Sequence, residues 1–227
     1  MNTRGMTLLE LAKEMNEEFS LKEISKLTDD QMKEYTDRLE YFKRINSSKS
    51  STEEKRASLE DLVSFLLGVY DNYFHLIPGV RTGTNEIDQV ITSKNSIKVM
   101  IANNLLDPRF NNFLCECKNY SKKVDVTYVG KFASLLLTTS KQLGILFSYK
   151  GVTGTNWQDA SGLIKKFYLC KEKTESRFCI LDFNIVDFEL VKDGYPFFQL
   201  LHDKILALEM DTSITKLISK HPGEDVL

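Results

Sequence analysis

Apolar residues recur at three- and four-residue spacing in some stretches of the chain and run together or alternate in others, and the two periods divide it into helices and strands. Met32, Tyr35, Leu39 and Phe42 form a helical stripe within residues 1 to 45, a segment with no proline and no glycine after Gly5. Thr7 to Glu10 and Ser20 to Glu23 both fit the capping-box pattern. Asn46 to Thr52 is small and polar, which predicts a linker and places a boundary near residue 52. Residues 1–52 thus form an N-terminal helical extension, and residues 53–227 the main domain. The stripe on the extension needs a surface to cover it, so a homodimer or a partner protein docked through these helices is expected.

Beyond the boundary the signals alternate. Leu59, Leu62, Val63, Leu66, Leu67 and Tyr70 predict a helix starting near Ser58. Gly79 and Gly83 flank a turn, and Glu86 to Thr92 reads as a strand. Phe113 to Lys118 predicts a second strand, followed by a helix carrying Val126, Val129, Phe132, Ala133, Leu136 and Leu137. Leu143 to Tyr149 is a short apolar run that predicts a buried strand. Residues 157 to 169 read as helix, Phe178 to Phe183 as strand and Phe197 to Leu208 as helix. This alternation predicts an α/β fold whose sheet is covered on both faces.

Composition adds bounds. With 227 residues, 42% of them hydrophobic, the chain can build a core without disulfide or metal staples. No apolar run approaches the roughly 18 residues of a membrane span, and the N-terminus lacks the apolar core of a signal peptide, so a cytoplasmic protein is expected. Cys115, Cys117, Cys170 and Cys179 read as buried thiols. A zinc site built on them lacks Cys-x2-Cys spacing and has three scattered histidines, His75, His202 and His221, to complete it. The net charge of −2 argues at first against a polyanionic partner. Its distribution argues the other way: residues 81 to 177 hold 15 basic and 8 acidic residues. A nucleic acid is therefore permitted, with affinity that falls as salt rises.

The chemistry concentrates in two predicted strands. Glu86 and Asp88 share one face of the first, opposite Ile87, and Glu116 and Lys118 share one face of the second, opposite Cys115 and Cys117. If the strands are neighbours, three carboxylates and one lysine converge. Such a group suits phosphodiester hydrolysis, because carboxylates hold Mg2+ while a lysine orients the nucleophile or stabilises the crowded phosphorus centre. Taken alone, Glu-x-Lys is far more often a surface ion pair worth well under about 1 kcal/mol.

In this order the residues resemble the Mrr-type branch of the PD-(D/E)xK, or restriction-endonuclease-like, nuclease superfamily, over about residues 57 to 210. The resemblance implies a mixed central β-sheet flanked by helices. It implies that Asp88 and Glu116 bind Mg2+, with Mn2+ substituting, together with the Cys117 carbonyl, and that Lys118 activates water. Many Mrr-like members also carry a helical glutamate, which falls on Glu60. The implied activity is a DNA endonuclease leaving a 5′-phosphate, in restriction, defence or DNA processing. Asp88 stands in Glu-Ile-Asp rather than Pro-Asp, and Glu116 stands where Mrr itself often has Gln. The long spacing from Asp88 to Glu116 predicts an insertion around Asn95 to Asn112. The same fold would serve a branched-DNA or RNA nuclease, and a non-catalytic nucleic-acid-binding subunit is the reading from another class.

Four further residues are accessory candidates. Glu86 fits a second ligand or a hydrogen-bonded support, and Lys131 a phosphate contact or a solvated lysine. Lys141 and Lys150 bracket the buried strand and suit contacts to a nucleic-acid backbone, or are plain surface lysines. Trp157 reads as core, and Gly151 and Gly154 as a turn.

Overall fold

The computed structural model describes residues 24–81, 86–154, 159–169 and 177–211. The capping-box sequences at Thr7 and Ser20, and Gly83, Trp157, Cys170 and His221, lie outside them. Among the described residues are seven α-helices: α1 (Asp29–Ser47), α2 (Thr52–Gly68), α3 (Asn95–Ala102), α4 (Val126–Thr138), α5 (Ala160–Leu169), α6 (Ile185–Lys192) and α7 (Phe197–Glu209). Five strands form one sheet in the order β1 (Phe74–Arg81), β2 (Glu86–Ser93), β3 (Asn112–Cys117), β4 (Leu143–Phe147) and β5 (Cys179–Phe183). Strand β2 runs antiparallel to both neighbours, whereas β3, β4 and β5 are mutually parallel. The fold is α/β with a mixed sheet.

Helix α1 starts where the Thr28 hydroxyl accepts from the Gln31 N–H and the Gln31 side chain accepts in return from the Thr28 N–H. Its stripe of Tyr35, Leu39 and Phe42 is fully buried within the chain. The Tyr35 hydroxyl donates to the Phe188 carbonyl at 2.9 Å, and the Phe42 ring meets Tyr149 and Phe188. The expectation that this stripe awaits a partner is therefore corrected: α2 and α6 cover it.

Three elements differ from the sequence expectation. Helix α2 begins at Thr52, not near Ser58, because Ser51 and Glu54 close a second capping box inside the polar run read as linker. Strand β1 covers a stretch with no predicted strand, and its end runs into the turn expected between Gly79 and Gly83. It is an edge strand, where a proline without an N–H is tolerated, and Gly79 takes a left-handed φ of 61° opposite Asp88, between the pairs Pro78↔Gln89 and Val80↔Ile87. Helix α6 follows β5 directly, capped by Asn184 and Asp187. The predicted insertion is α3 and a 3-10 turn at Pro108–Asn111.

The sheet packs apolar side chains on both of its faces. On one face Gly144 lets α4 approach closely: a Cβ there would come within 2.7 Å of Phe132 and 2.8 Å of Leu136. On the other face Phe147, Phe183, Phe188, Phe197 and Phe198 form a chain of ring contacts that reaches Tyr70, Phe74, Phe110 and Phe113. Buried residues from Ile24 to Leu208 make one continuous core.

Candidate functional site

The β2–β3 register sets Gln89 opposite Cys115, so the next step of the ladder brings Asp88 level with Glu116. Antiparallel pairing is what makes this possible, because the start of β2 then lies beside the end of β3. The Asp88 Oδ2 accepts from the Cys117 N–H at 2.7 Å. In an antiparallel strand a residue's N–H and C=O face the same neighbour, so the Cys117 carbonyl is turned to the same edge as Asp88. Lys118 follows β3 and is anchored on the other side, its N–H donating to the Phe147 carbonyl at 2.8 Å.

The side chains converge as the alternation requires. The Lys118 ammonium forms an ion pair with Glu116 Oε1 and stands 3.9 Å from Asp88 Oδ2. All three are largely enclosed, with 22% of Lys118, 21% of Asp88 and 13% of Glu116 exposed. Glu60, from the middle of α2, lines a cavity of about 210 Å³ together with Asp88, Glu116, Cys117 and Lys118, and is held by Arg56 at 2.7 Å. A second cavity, about 220 Å³, opens on the other side of the Glu116–Lys118 pair and is lined by Tyr128 and Lys131 of α4.

Burial sets the electrostatics. It pushes the Glu116 carboxyl above its usual value of 4.5, Asp88 adds to that push, and Lys118 opposes it without cancelling it. Burial also disfavours the Lys118 charge, but Glu116 and then Asp88 outweigh it and hold the ammonium protonated above its usual range. Both shifts describe one crowded pair: two carboxylates compete for one buried cation. Glu116 Oε2 is buried and has no hydrogen-bond partner among the described residues.

That orphaned oxygen bears on metal binding. Asp88, Glu116 and the Cys117 carbonyl offer hard oxygen donors, which fits Mg2+, an ion that keeps several waters and takes one or two carboxylates alongside substrate phosphate. No group of three or more His, Cys, Asp or Glu side chains suited to a metal occurs among the described residues. Cys115, Cys117 and Cys179 are buried free thiols, and burial pushes all three up.

The remaining candidates separate. Lys131 reaches the site, with its ammonium 5.6 Å from the Tyr128 ring centroid. Lys150 lies beyond the carboxyl end of β4, the end that carries the site, and donates to the Ser121 carbonyl at 2.6 Å. Lys141 precedes β4 and therefore sits at the opposite end of the sheet from Glu116 and Lys118. Glu86 starts β2, but its side chain lies outside the described part. Sequence reasoning missed Asn119, which is buried and donates to the Lys55 carbonyl at 2.7 Å, tying the end of β3 to α2. It also missed Tyr120 and Tyr128. No family model, curated protein or solved structure gives a significant match to this chain.

Proposed function

We propose that this chain is a metal-dependent deoxyribonuclease of the Mrr-like PD-(D/E)xK kind, hydrolysing phosphodiester bonds at the carboxyl end of β3. The observation that carries the reading is the convergence of Asp88, Glu116 and Lys118, drawn from β2 and β3 of a sheet in which β2 alone is antiparallel. Asp88, Glu116 and the Cys117 carbonyl are the groups that would hold Mg2+ or Mn2+. The ion would supply a more acidic water and charge neutralisation at phosphorus. Lys118, kept as an ammonium, donates hydrogen bonds to the attacking water or to a non-bridging phosphate oxygen, and does not act as a base. Glu60 orients the cavity wall opposite. Water adds to phosphorus and gives up a proton to solvent, the bond to the 3′ oxygen breaks, and that oxygen takes a proton from solvent, so the products are a 5′-phosphate and a 3′-hydroxyl.

Paired cuts across a duplex need two such sites. The apolar stripe of α1 is covered internally, so a homodimer would use another surface. The test is incubation of the purified protein with single-stranded, plasmid, linear and branched DNA in Mg2+ or Mn2+, beside Glu116→Ala and Lys118→Ala. Wild type is expected to cut, and each variant to lose at least about a hundredfold in rate, the scale of removing one preorganised charge. Equal background cutting by all three proteins sinks the nuclease reading and leaves a non-catalytic nucleic-acid-binding role.

A further inference from the structure

Two tyrosines border the site without taking part in the proposed hydrolysis. Tyr120 lies two residues after Lys118, and Tyr128 stands on the first turn of α4, which Asp125 caps by accepting from the Thr127 and Tyr128 N–H groups. Their ring centroids are 5.1 Å apart with the planes tilted by 34°. Both rings are partly exposed. Tyr120 lines the cavity that holds Asp88 and Glu60, Tyr128 lines the cavity that holds Lys131, and both line a third cavity of about 230 Å³ beside Lys122. One or other ring therefore edges both of the cavities that Glu116 and Lys118 line, and Lys122 and Lys131 lie beside the pair.

The location matters more than the ring contact itself. In a duplex, bases stack on one another and present edges to a protein, so an aromatic face beside a phosphodiester finds nothing to stack on. An unpaired base does present a face, and aromatic residues beside a basic groove are the usual means of gripping one. Both cavities flanking the site are small, about 210 Å³ against α2 and about 220 Å³ against α4, which suits one strand threading past Glu116 better than a rigid double helix.

Resting on the nuclease reading, we infer that Tyr120 and Tyr128 form a stacking platform for an unpaired base next to the scissile phosphodiester. Lys131 contacts the adjoining phosphate. The substrate of this site is then single-stranded DNA, as a free end, a loop or a flap, and not continuous duplex.

Binding without cleavage tests this. A fluorescein-labelled ten-nucleotide thymidine strand and a labelled blunt hairpin duplex are titrated by anisotropy with the full chain in EDTA at low salt. The single strand is expected to bind more tightly. Tyr120→Ala and Tyr128→Ala should each weaken it roughly tenfold or more, in keeping with the loss of one base stack. Tyr120→Phe and Tyr128→Phe keep the ring and should bind within about twofold of wild type. Circular dichroism melts of all four variants separate lost folding from lost binding. Duplex bound as tightly as single strand, or folded alanine variants that bind like wild type, overturns the inference. Tyrosine-dependent single-strand binding with no cleavage in Mg2+ leaves the platform standing and removes the nuclease. Cleavage that needs Glu116 and Lys118 but ignores both tyrosines does the reverse.

Discussion

Glu116 illustrates how a functional arrangement costs stability at the scale of one side chain. Its carboxyl is raised above 4.5 in the folded protein by burial and by Asp88. The folded chain therefore holds this proton to higher pH than the unfolded chain does. Stability from this group is greatest below about 4.5 and is lost as pH rises through the raised folded value. Glu116→Gln mimics the protonated form, so the variant should unfold at higher urea than wild type at pH 7.5 while the difference shrinks at pH 4. A variant that is less stable than wild type at pH 7.5 would mean that the Lys118 ion pair outweighs the burial of two carboxylates. Period-two alternation alone put Glu116 and Lys118 on one face, and the structure agrees. That alternation gave no strand direction, so Lys141 and Lys150 looked equivalent although parallel pairing with β3 puts only Lys150 at the end that carries the site. Tyr120 and Tyr128 were invisible for a related reason: they meet across a loop, and no period in the chain records that.

Elements were legible where hydrophobic period and cap agreed, and misread where one masked the other. The run Asn46 to Thr52 looked like a linker because it is small and polar, yet Ser51 and Glu54 hold the first turn of α2. The omission has consequences for the site, because the first two turns carry Thr52 and Arg56 into the cavity with Glu60. Ser51→Ala should lower unfolding stability by about 1 kcal/mol, within the usual range of a lost N-cap, measured as a shift in urea midpoint with an unchanged slope. No shift would mean that packing of Leu59, Leu62 and Leu66 fixes the helix start by itself. Strand β1 was missed because Gly79 read as the start of a turn; an edge strand tolerates both Gly79 and the Pro78 beside it. Helix α6 was missed because its capping box uses Asp187 in place of the usual Glu or Gln.

For the whole molecule, the open question is what the N-terminal helix does. Read from its polar flank and apolar stripe, α1 is an appendage that needs a partner. In the structure it supplies Tyr35, Leu39 and Phe42 to the same core as the sheet. Burying one such side chain stabilises by roughly 1.5–3 kcal/mol, so the three together contribute on the order of 5–9 kcal/mol, before the Tyr35 hydrogen bond is counted. A domain of ordinary stability has about 5–15 kcal/mol in all. Residues 49–227 expressed alone would expose the covered surfaces of α2 and α6 next to Tyr149. They are expected to lack a cooperative thermal transition and to elute as aggregates, whereas the full chain melts cooperatively. A truncated chain that melts within a few degrees of the full one would show that α1 only rests on the domain and is free to leave it for a partner. Loss of folding would instead tie α1 to the site through α2, whose middle turn carries Glu60 and whose first turn is pinned by Asn119 to the end of β3.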